Sequence, residues 1–183
     1  MPRIIAGLAG GRPLRVPGAG TRPTSDRARE GLFNSLATLL DLDGVAVLDL
    51  FAGSGAVGLE ALSRGAGEAT FVESGRDALT VLRGNVKTCA LPGAIVVAQP
   101  VRAFLSQPPR RFDFVYADPP YALPTPEVCG ILSALRALGW LADAAVLVVE
   151  RSARDDELSW PGGVRHIKQK RYGQAVLWYG QAV

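Results

Sequence analysis

Asp118-Pro119-Pro120-Tyr121 combines the groups needed to hold a weakly nucleophilic amine in place. An amino group attached to a base ring shares its lone pair with that ring. A carboxylate, here Asp118, and a backbone carbonyl can accept its two N–H bonds and turn the lone pair towards an electrophile. Pro119 and Pro120 suit the task, because proline fixes φ near about −65° and brings no competing N–H. Tyr121 offers a flat face on which an unstacked base can lie. Methyl transfer to such an amine is an in-line displacement driven by positioning and electrostatics. The proton leaves afterwards, from a positively charged nitrogen, so no strong base is required. By itself the tetrapeptide also fits a proline-rich turn with an Asx cap, and its meaning rests on its surroundings.

A second constellation lies upstream. Asp49-Leu50-Phe51-Ala52-Gly53-Ser54-Gly55 follows an apolar run and opens a helical one. Glycines there let the backbone pass close to a ligand in a turn that a Cβ would obstruct. Asp49 falls where an open α/β sheet binds ligands, and its charge suits a cationic ligand group. Glu73 ends the next apolar run, 20 residues beyond Gly53. From that position an acidic side chain accepts hydrogen bonds from ribose hydroxyls. Phe51 serves either as a wall of the ligand pocket or as plain core. Gly53-Ser54-Gly55-Ala56-Val57-Gly58 also matches the dinucleotide pattern G-x-G-x-x-G, so a nicotinamide-dependent oxidoreductase is a rival. Against it, Asp49 would place negative charge near a pyrophosphate, and no second site for hydride chemistry is identifiable.

The elements that must position these groups can be read from periodicity. Nearly continuous apolar runs at 45–51, 69–73, 94–98, 112–118 and 144–150 predict parallel strands buried on both faces. Helical stretches fall between them, around 56–64, 76–90, 100–106 and 126–138. An earlier helix is predicted over 25–40, with Ala28, Leu32, Leu36 and Leu39 on one face. The tail instead reads as an antiparallel hairpin, 164–171 and 174–179, turning at Tyr172-Gly173. Two short apolar pieces, 3–6 and 14–16, flank Gly10-Gly11 and predict an N-terminal hairpin too short to be stable alone. The fold class is therefore α/β, a seven-stranded, mostly parallel, doubly wound sheet with a C-terminal antiparallel hairpin and a small N-terminal β-hairpin. In such a sheet the first and fourth strands lie side by side, and the two constellations face each other across one crevice.

Composition narrows the class. With 48% hydrophobic and 20% charged residues, the 183-residue chain is ordinary globular protein with room for a sizeable core. No apolar run approaches the roughly 20 residues needed to cross a bilayer, and the N-terminus lacks a signal-peptide pattern. Cys89 and Cys129 have neither metal nor redox spacing and read as buried thiols in a cytoplasmic protein. The net charge of +3 is unevenly spread: residues 1–30 hold six arginines against Asp26 and Glu30. Arg165, Lys168, Lys170 and Arg171 form a second basic cluster with no acid after Glu157. Two basic ends suggest a polyanionic partner, although solvated surface charge is equally consistent. His166 reads as surface or RNA-facing, and Trp140, Trp160 and Trp178 as packing residues.

With both constellations in place, the chain resembles the bacterial 16S rRNA guanine-N2 methyltransferases that modify guanine 966 of the small subunit. The likeness lies in Arg3-Ile4-Ile5-Ala6-Gly7, Gly11-Arg12, Thr21-Arg22-Pro23-Thr24 and Arg29-Glu30-Gly31-Leu32-Phe33-Asn34 of the N-terminal region. It continues through Leu48–Gly55, Gly58–Ala66 and Asp118-Pro119-Pro120-Tyr121. The resemblance implies a Rossmann-like class I methyltransferase domain over 26–183 with S-adenosylmethionine as donor. Asp49, Phe51, Gly53, Gly55, Glu73 and Gln99 would hold that donor, whose cationic methionine end suits Asp49. Many methyltransferases carry an Asp where Gln99 stands, so the adenine contacts rest on the Gln99 amide or on backbone groups. Asp118, Pro119, Pro120 and Tyr121 would face the target amine. Residues 1–25 would form an RNA-contacting extension, with Arg3, Arg12, Arg15, Arg22, Thr24, Lys168 and Arg171 as candidate RNA contacts.

The expected partner is 16S rRNA, within an assembled or partly assembled small subunit, because one short basic arm has little surface for sequence readout. No metal or membrane is expected. The same chemistry on a DNA or RNA adenine N6 or cytosine N4 is the alternative, though a DNA enzyme would need a recognition domain that this length barely accommodates. A non-catalytic RNA-binding factor on the same fold is disfavoured by the intact Asp118 motif.

Overall fold

The computed structural model describes residues 1–18 and 24–183. Among them are five helices and one seven-stranded sheet. In chain order they are α1 (Asp26–Leu36), β1 (Ala46–Leu50), α2 (Ala56–Ser63), β2 (Glu68–Glu73), α3 (Arg76–Cys89), β3 (Ala94–Ala98), α4 (Val101–Leu105), β4 (Phe112–Ala117), α5 (Thr125–Ala137), β5 (Leu141–Ser152), β6 (Val164–Tyr172) and β7 (Ala175–Ala182).

The sheet runs β3-β2-β1-β4-β5-β7-β6, parallel through β5, with β7 antiparallel to both β5 and β6. One face packs against the N-terminal segment, α1, α2 and α3, through Ile4, Leu14, Leu32, Leu59 and Leu82. The other face packs against α4 and α5, through Phe104, Leu105, Ile131 and Leu135. Buried runs in β1, β2 and β4 match the expectation of strands covered on both faces. β3 departs from it: as the sheet edge it leaves its residues half-buried or exposed, with Ile95 among the exposed apolar side chains. An apolar run reports strand propensity, but only a neighbour on each side makes a strand central.

The first helix is shorter than its apolar stripe predicts. Ser25 caps it by accepting from the Ala28 N–H. Beyond Leu36 the chain leaves the helix in tight turns, with the Thr38 hydroxyl bonded to the Ser35 carbonyl. Gly31 sits mid-helix for a packing reason: a Cβ there would stand 2.1 Å from the Tyr172 hydroxyl. α1 thereby closes onto the last residue of β6, so Tyr172 does more than form a turn. The long reach of β5 to Leu141 includes Ala144 at φ 59, next to a register shift against β4.

The N-terminal hairpin is reduced to one antiparallel bridge, Arg3 to Pro13. It survives because it is docked. The buried Glu60 carboxylate of α2 accepts from the Ile5 N–H at 2.8 Å and the Ala6 N–H at 3.1 Å. Ser63 accepts from Ala9 and donates to the Ala6 carbonyl. Gly7 makes the approach possible, since at φ 83 a Cβ would lie 1.8 Å from the Ser63 carbonyl oxygen. Ile4, Ala9 and Leu14 therefore join the core of the main sheet. Beneath them Arg29, fully buried, bonds Asp26 at 2.9 Å and the Arg3 carbonyl, and lies 3.8 Å from Glu60.

Removing one partner from a buried ionic cluster costs about 3–5 kcal/mol, because the remaining charge is stranded. Glu60→Ala should therefore lower unfolding stability by that order in urea titrations, uncovering Arg29 and two backbone donors at once.

Candidate active site

Parallel pairing places Asp49 of β1 beside Tyr116 of β4. The loops leaving both strands thus share one crevice, as the sequence requires. After β1 the chain turns at Phe51 (φ 57), Gly53 (φ 56) and Gly55 (φ 78). The left-handed geometry at Phe51, uncommon for a non-glycine residue, is held by its two-sided environment. Its ring lines the cleft and also packs on the α5-side core. Wall and core, the two roles open for this side chain, coincide.

That cleft encloses about 200 Å³, between Phe51, Val72, Leu123 and Ile131 on its apolar sides and Glu73 and Gln99 at its polar edge. Glu73 is rigidly oriented: Oε2 accepts from Gly53 N–H, and Oε1 from Ser74 and Gly75 N–H, each at 2.8 Å. Gln99 lines the same edge, but its side-chain oxygen accepts from Gln107 Nε2 at 2.7 Å. A ligand amine would have to compete for that oxygen.

Asp49 lies behind the glycine loop, 2% exposed, and accepts from the Gly58 N–H at 3.0 Å. This strand carboxyl caps the start of α2, whose own N-cap, Gly55, has no side chain to do so. Burial pushes its pKa up to about 8; the Gly58 N–H opposes the shift and Glu73 adds to it. Asn85 of α3, 1% exposed, ties the loop to the N-terminal segment by donating to the Ser54 and Arg15 carbonyls and accepting from the Arg15 N–H.

On the facing loop, Asp118 leaves β4 with its N–H bonded to the Leu50 carbonyl at 3.4 Å. Pro119 is buried, Pro120 is exposed, and the Pro120 carbonyl closes a turn by accepting from Leu123 N–H. Tyr121 is half exposed at 51%. Burial raises the Asp118 carboxyl well above the usual range; the charges of Glu150 and then Asp49 add to this, and Arg151 opposes it. Arg151 is itself buried, donates to the Leu123 carbonyl at 2.8 Å and pairs with Asp155 at 3.0 Å, so it braces the loop.

The candidate RNA contacts divide. Arg3, with Arg27, lines a separate surface cleft of about 420 Å³ beside the arm. Arg15 and Arg171 are exposed. Arg12 is exposed as well, but its guanidinium is committed to the Thr88 and Cys89 carbonyls at the end of α3, a favourable place for a cation. Lys168 lies over the Tyr179 ring at 5.4 Å; desolvation, then the Lys170 charge, lower its ammonium pKa. Arg22 lies outside the described residues. Thr24 turns inward, where its hydroxyl donates to Glu150 Oε2 at 2.7 Å and lies 3.1 Å from the Tyr116 hydroxyl. Cys129, expected buried, is only half-buried, because its face of α5 is partly open to solvent. His166 is exposed and accepts from Trp160 Nε1.

Glu150, Tyr116, Asn85 and Arg151 were absent from the sequence-based site. A signal existed for Glu150: β1, β2 and β5 each end at or near an acid, and Asp118 follows β4 directly. Asn85 was marked only as a polar residue between Leu82 and Cys89 on the buried side of α3.

Comparison with known proteins points the same way. A family model described as conserved hypothetical protein 95 matches residues 2–181. The ribosomal RNA small subunit methyltransferase D of Escherichia coli (strain K12) is 40% identical over 175 residues, covering 95% of this chain and 86% of that protein. The protein of the same name from Haemophilus influenzae is 39% identical over 176 residues, covering 93% and 89%. A solved structure of a putative methyltransferase from Escherichia coli superposes with a TM-score of 0.85 at 37% identity, covering 98% of this chain and 97% of that one.

Proposed function

The chain belongs to the conserved hypothetical protein 95 family, that of the small-subunit ribosomal RNA methyltransferases D, and from that premise we propose that it methylates the exocyclic N2 amine of a guanine in 16S rRNA. S-adenosylmethionine is the methyl donor. The observation that carries the reading is the β1–β4 pairing, which brings a buried, cation-seeking carboxyl and the Asp-Pro-Pro-Tyr loop to one crevice.

The residues fit that donor. Apolar walls at Phe51, Val72 and Ile131 suit a flat base, and the fixed Glu73 carboxylate at the cleft edge suits a ribose diol. Asp49 suits the methionine ammonium. When bound, S-adenosylmethionine supplies an electrophilic methyl group on a positively charged sulfur. Asp118 then accepts one N–H of the target amine, and a backbone carbonyl of the same loop accepts the other. Tyr121 stacks on the flipped guanine. Asp118, as the acceptor of that amine, also receives the departing proton.

Residues 1–25 serve as an RNA-contacting extension of the catalytic domain at 26–183, with Arg3, Arg15 and Arg22 on the arm and Arg171 on the hairpin. Arg12 and Lys168 contribute less, being engaged within the protein. The folded particle supplies much of the specificity, in the cytoplasm, and the substrate is an assembled or partly assembled small subunit.

Asp118→Ala should abolish methyl transfer while leaving S-adenosylmethionine affinity nearly unchanged; retained activity removes Asp118 from this role. Labelled methyl transferred to small subunits from a strain lacking the protein should appear in N2-methylguanosine. Label in adenosine or cytidine would assign a different base amine. Because Asp49 must ionise to meet a cation, donor affinity should rise roughly tenfold per pH unit towards about 8 and then level off. Calorimetric titration should find Asp49→Asn weaker and flat over the same range.

A further inference from the structure

Asp49, Asp118 and Glu150 occupy one face of three neighbouring strands. Asp49 pairs with Tyr116 and Tyr116 with Val148; Asp118 and Glu150 each lie two positions further on, so they share that face. Glu150 is 4% exposed. Its Oε2 accepts from both the Tyr116 and the Thr24 hydroxyls at 2.7 Å, and those two oxygens are 3.1 Å apart. Thr24 immediately precedes Ser25, the cap of α1, at the end of the arginine-rich arm, whereas Tyr116 is two residues from Asp118. One carboxylate oxygen therefore joins the arm to the strand that carries the amine-holding group.

We infer that Glu150 is a positioning residue for the reaction, keeping a negative charge beside Asp118 while fastening the arm to β4 through Thr24. This rests on the reading of Asp118 as the group that receives the target amine. Two hydroxyls, each 2.7 Å from one oxygen, fix where the Glu150 carboxylate stands. Tyr116 remains a donor throughout, because burial and then Glu150 raise its hydroxyl well above the usual tyrosine range. The consequence falls on Asp118, whose proton affinity Glu150 increases. A more basic carboxylate is the stronger acceptor for the amine N–H and for the proton released after transfer. The other charged groups acting on Asp118 are Asp49 on β1 and Arg151 on β5; Arg29 of α1 acts on Tyr116, and β7 sets the apolar Leu177 opposite Glu150.

The test is the pH profile of methyl transfer to unmethylated small subunits at saturating S-adenosylmethionine. Glu150→Gln keeps the shape and removes the charge. Its acid limb should move down by about half a pH unit or more, with the plateau reduced roughly tenfold or more and donor affinity unchanged. Tyr116→Phe frees Glu150 from that position, and its acid limb should also move down, by less. Thr24→Val should raise KM for the particle without altering donor affinity. A limb moved down by both variants with donor affinity unchanged is beyond general structural damage, which lowers the plateau without moving the limb. Should Glu150→Gln fail to fold, Tyr116→Phe decides alone, and an unmoved limb overturns the role of Glu150. If Asp118→Ala is inactive and the Glu150→Gln limb is unmoved, only Glu150's role falls. If Asp118→Ala is active, the reading beneath it falls instead.

Discussion

Parallel pairing of β1 with β4 sets where every charged group of the site can stand. From β1 the chain winds outwards through β2 and β3, then returns to place β4 on the opposite side of β1. No crossover covers the C-terminal ends of that pair, so a crevice opens there. Acids at the ends of neighbouring strands are forced together, away from water, and like charges in such a place cannot all ionise. Asp49 and Asp118 both hold their protons more tightly than ordinary carboxyls as a result. A tighter hold on protons is one relief for such crowding, and a nearby cation, as Arg151 is to Asp118, is another.

α2 carries this arrangement to the rest of the molecule. Its first turn supplies the Gly58 N–H that Asp49 uses, and its second half supplies Glu60 and Ser63, on which the N-terminal segment is built. One eight-residue helix thus has its start on the crevice side and its end under the arm. Asn85 closes the circuit from α3, touching both the glycine loop and Arg15. The far end of the arm is tied at Glu150. What composition suggests to be a loose basic appendage is fastened at each of its described ends and contributes Ile4, Ala9 and Leu14 to the core.

Much of this was legible beforehand, for identifiable reasons. Buried parallel strands write themselves as apolar runs, and the glycine loop and Asp-Pro-Pro-Tyr each follow one, so strand order alone predicted that Asp49 and Asp118 would meet. The illegible part is side-chain pairing across long separations. Thr24 and Glu150 are 126 residues apart, and nothing local in either marks the other. Arg12 looked like every other arginine of the arm until the end of α3 was seen beneath it. β3 matched the central strands in composition while lying at the edge, because position in a sheet is a property of neighbours.

The contact between Gly31 and Tyr172 bears on how the chain is made. Synthesis delivers α1 well before β6, yet the hydroxyl that its glycine accommodates sits at the end of that strand. Thr24 waits in the same way for β5. The arm can settle on α2 as soon as Glu60 and Ser63 are available, but α1 has no finished seat until the C-terminal hairpin has been added. Contacts of such long sequence separation close late and slow the final step of folding. The side of the domain beside the crevice is therefore completed only after β6 has joined the sheet.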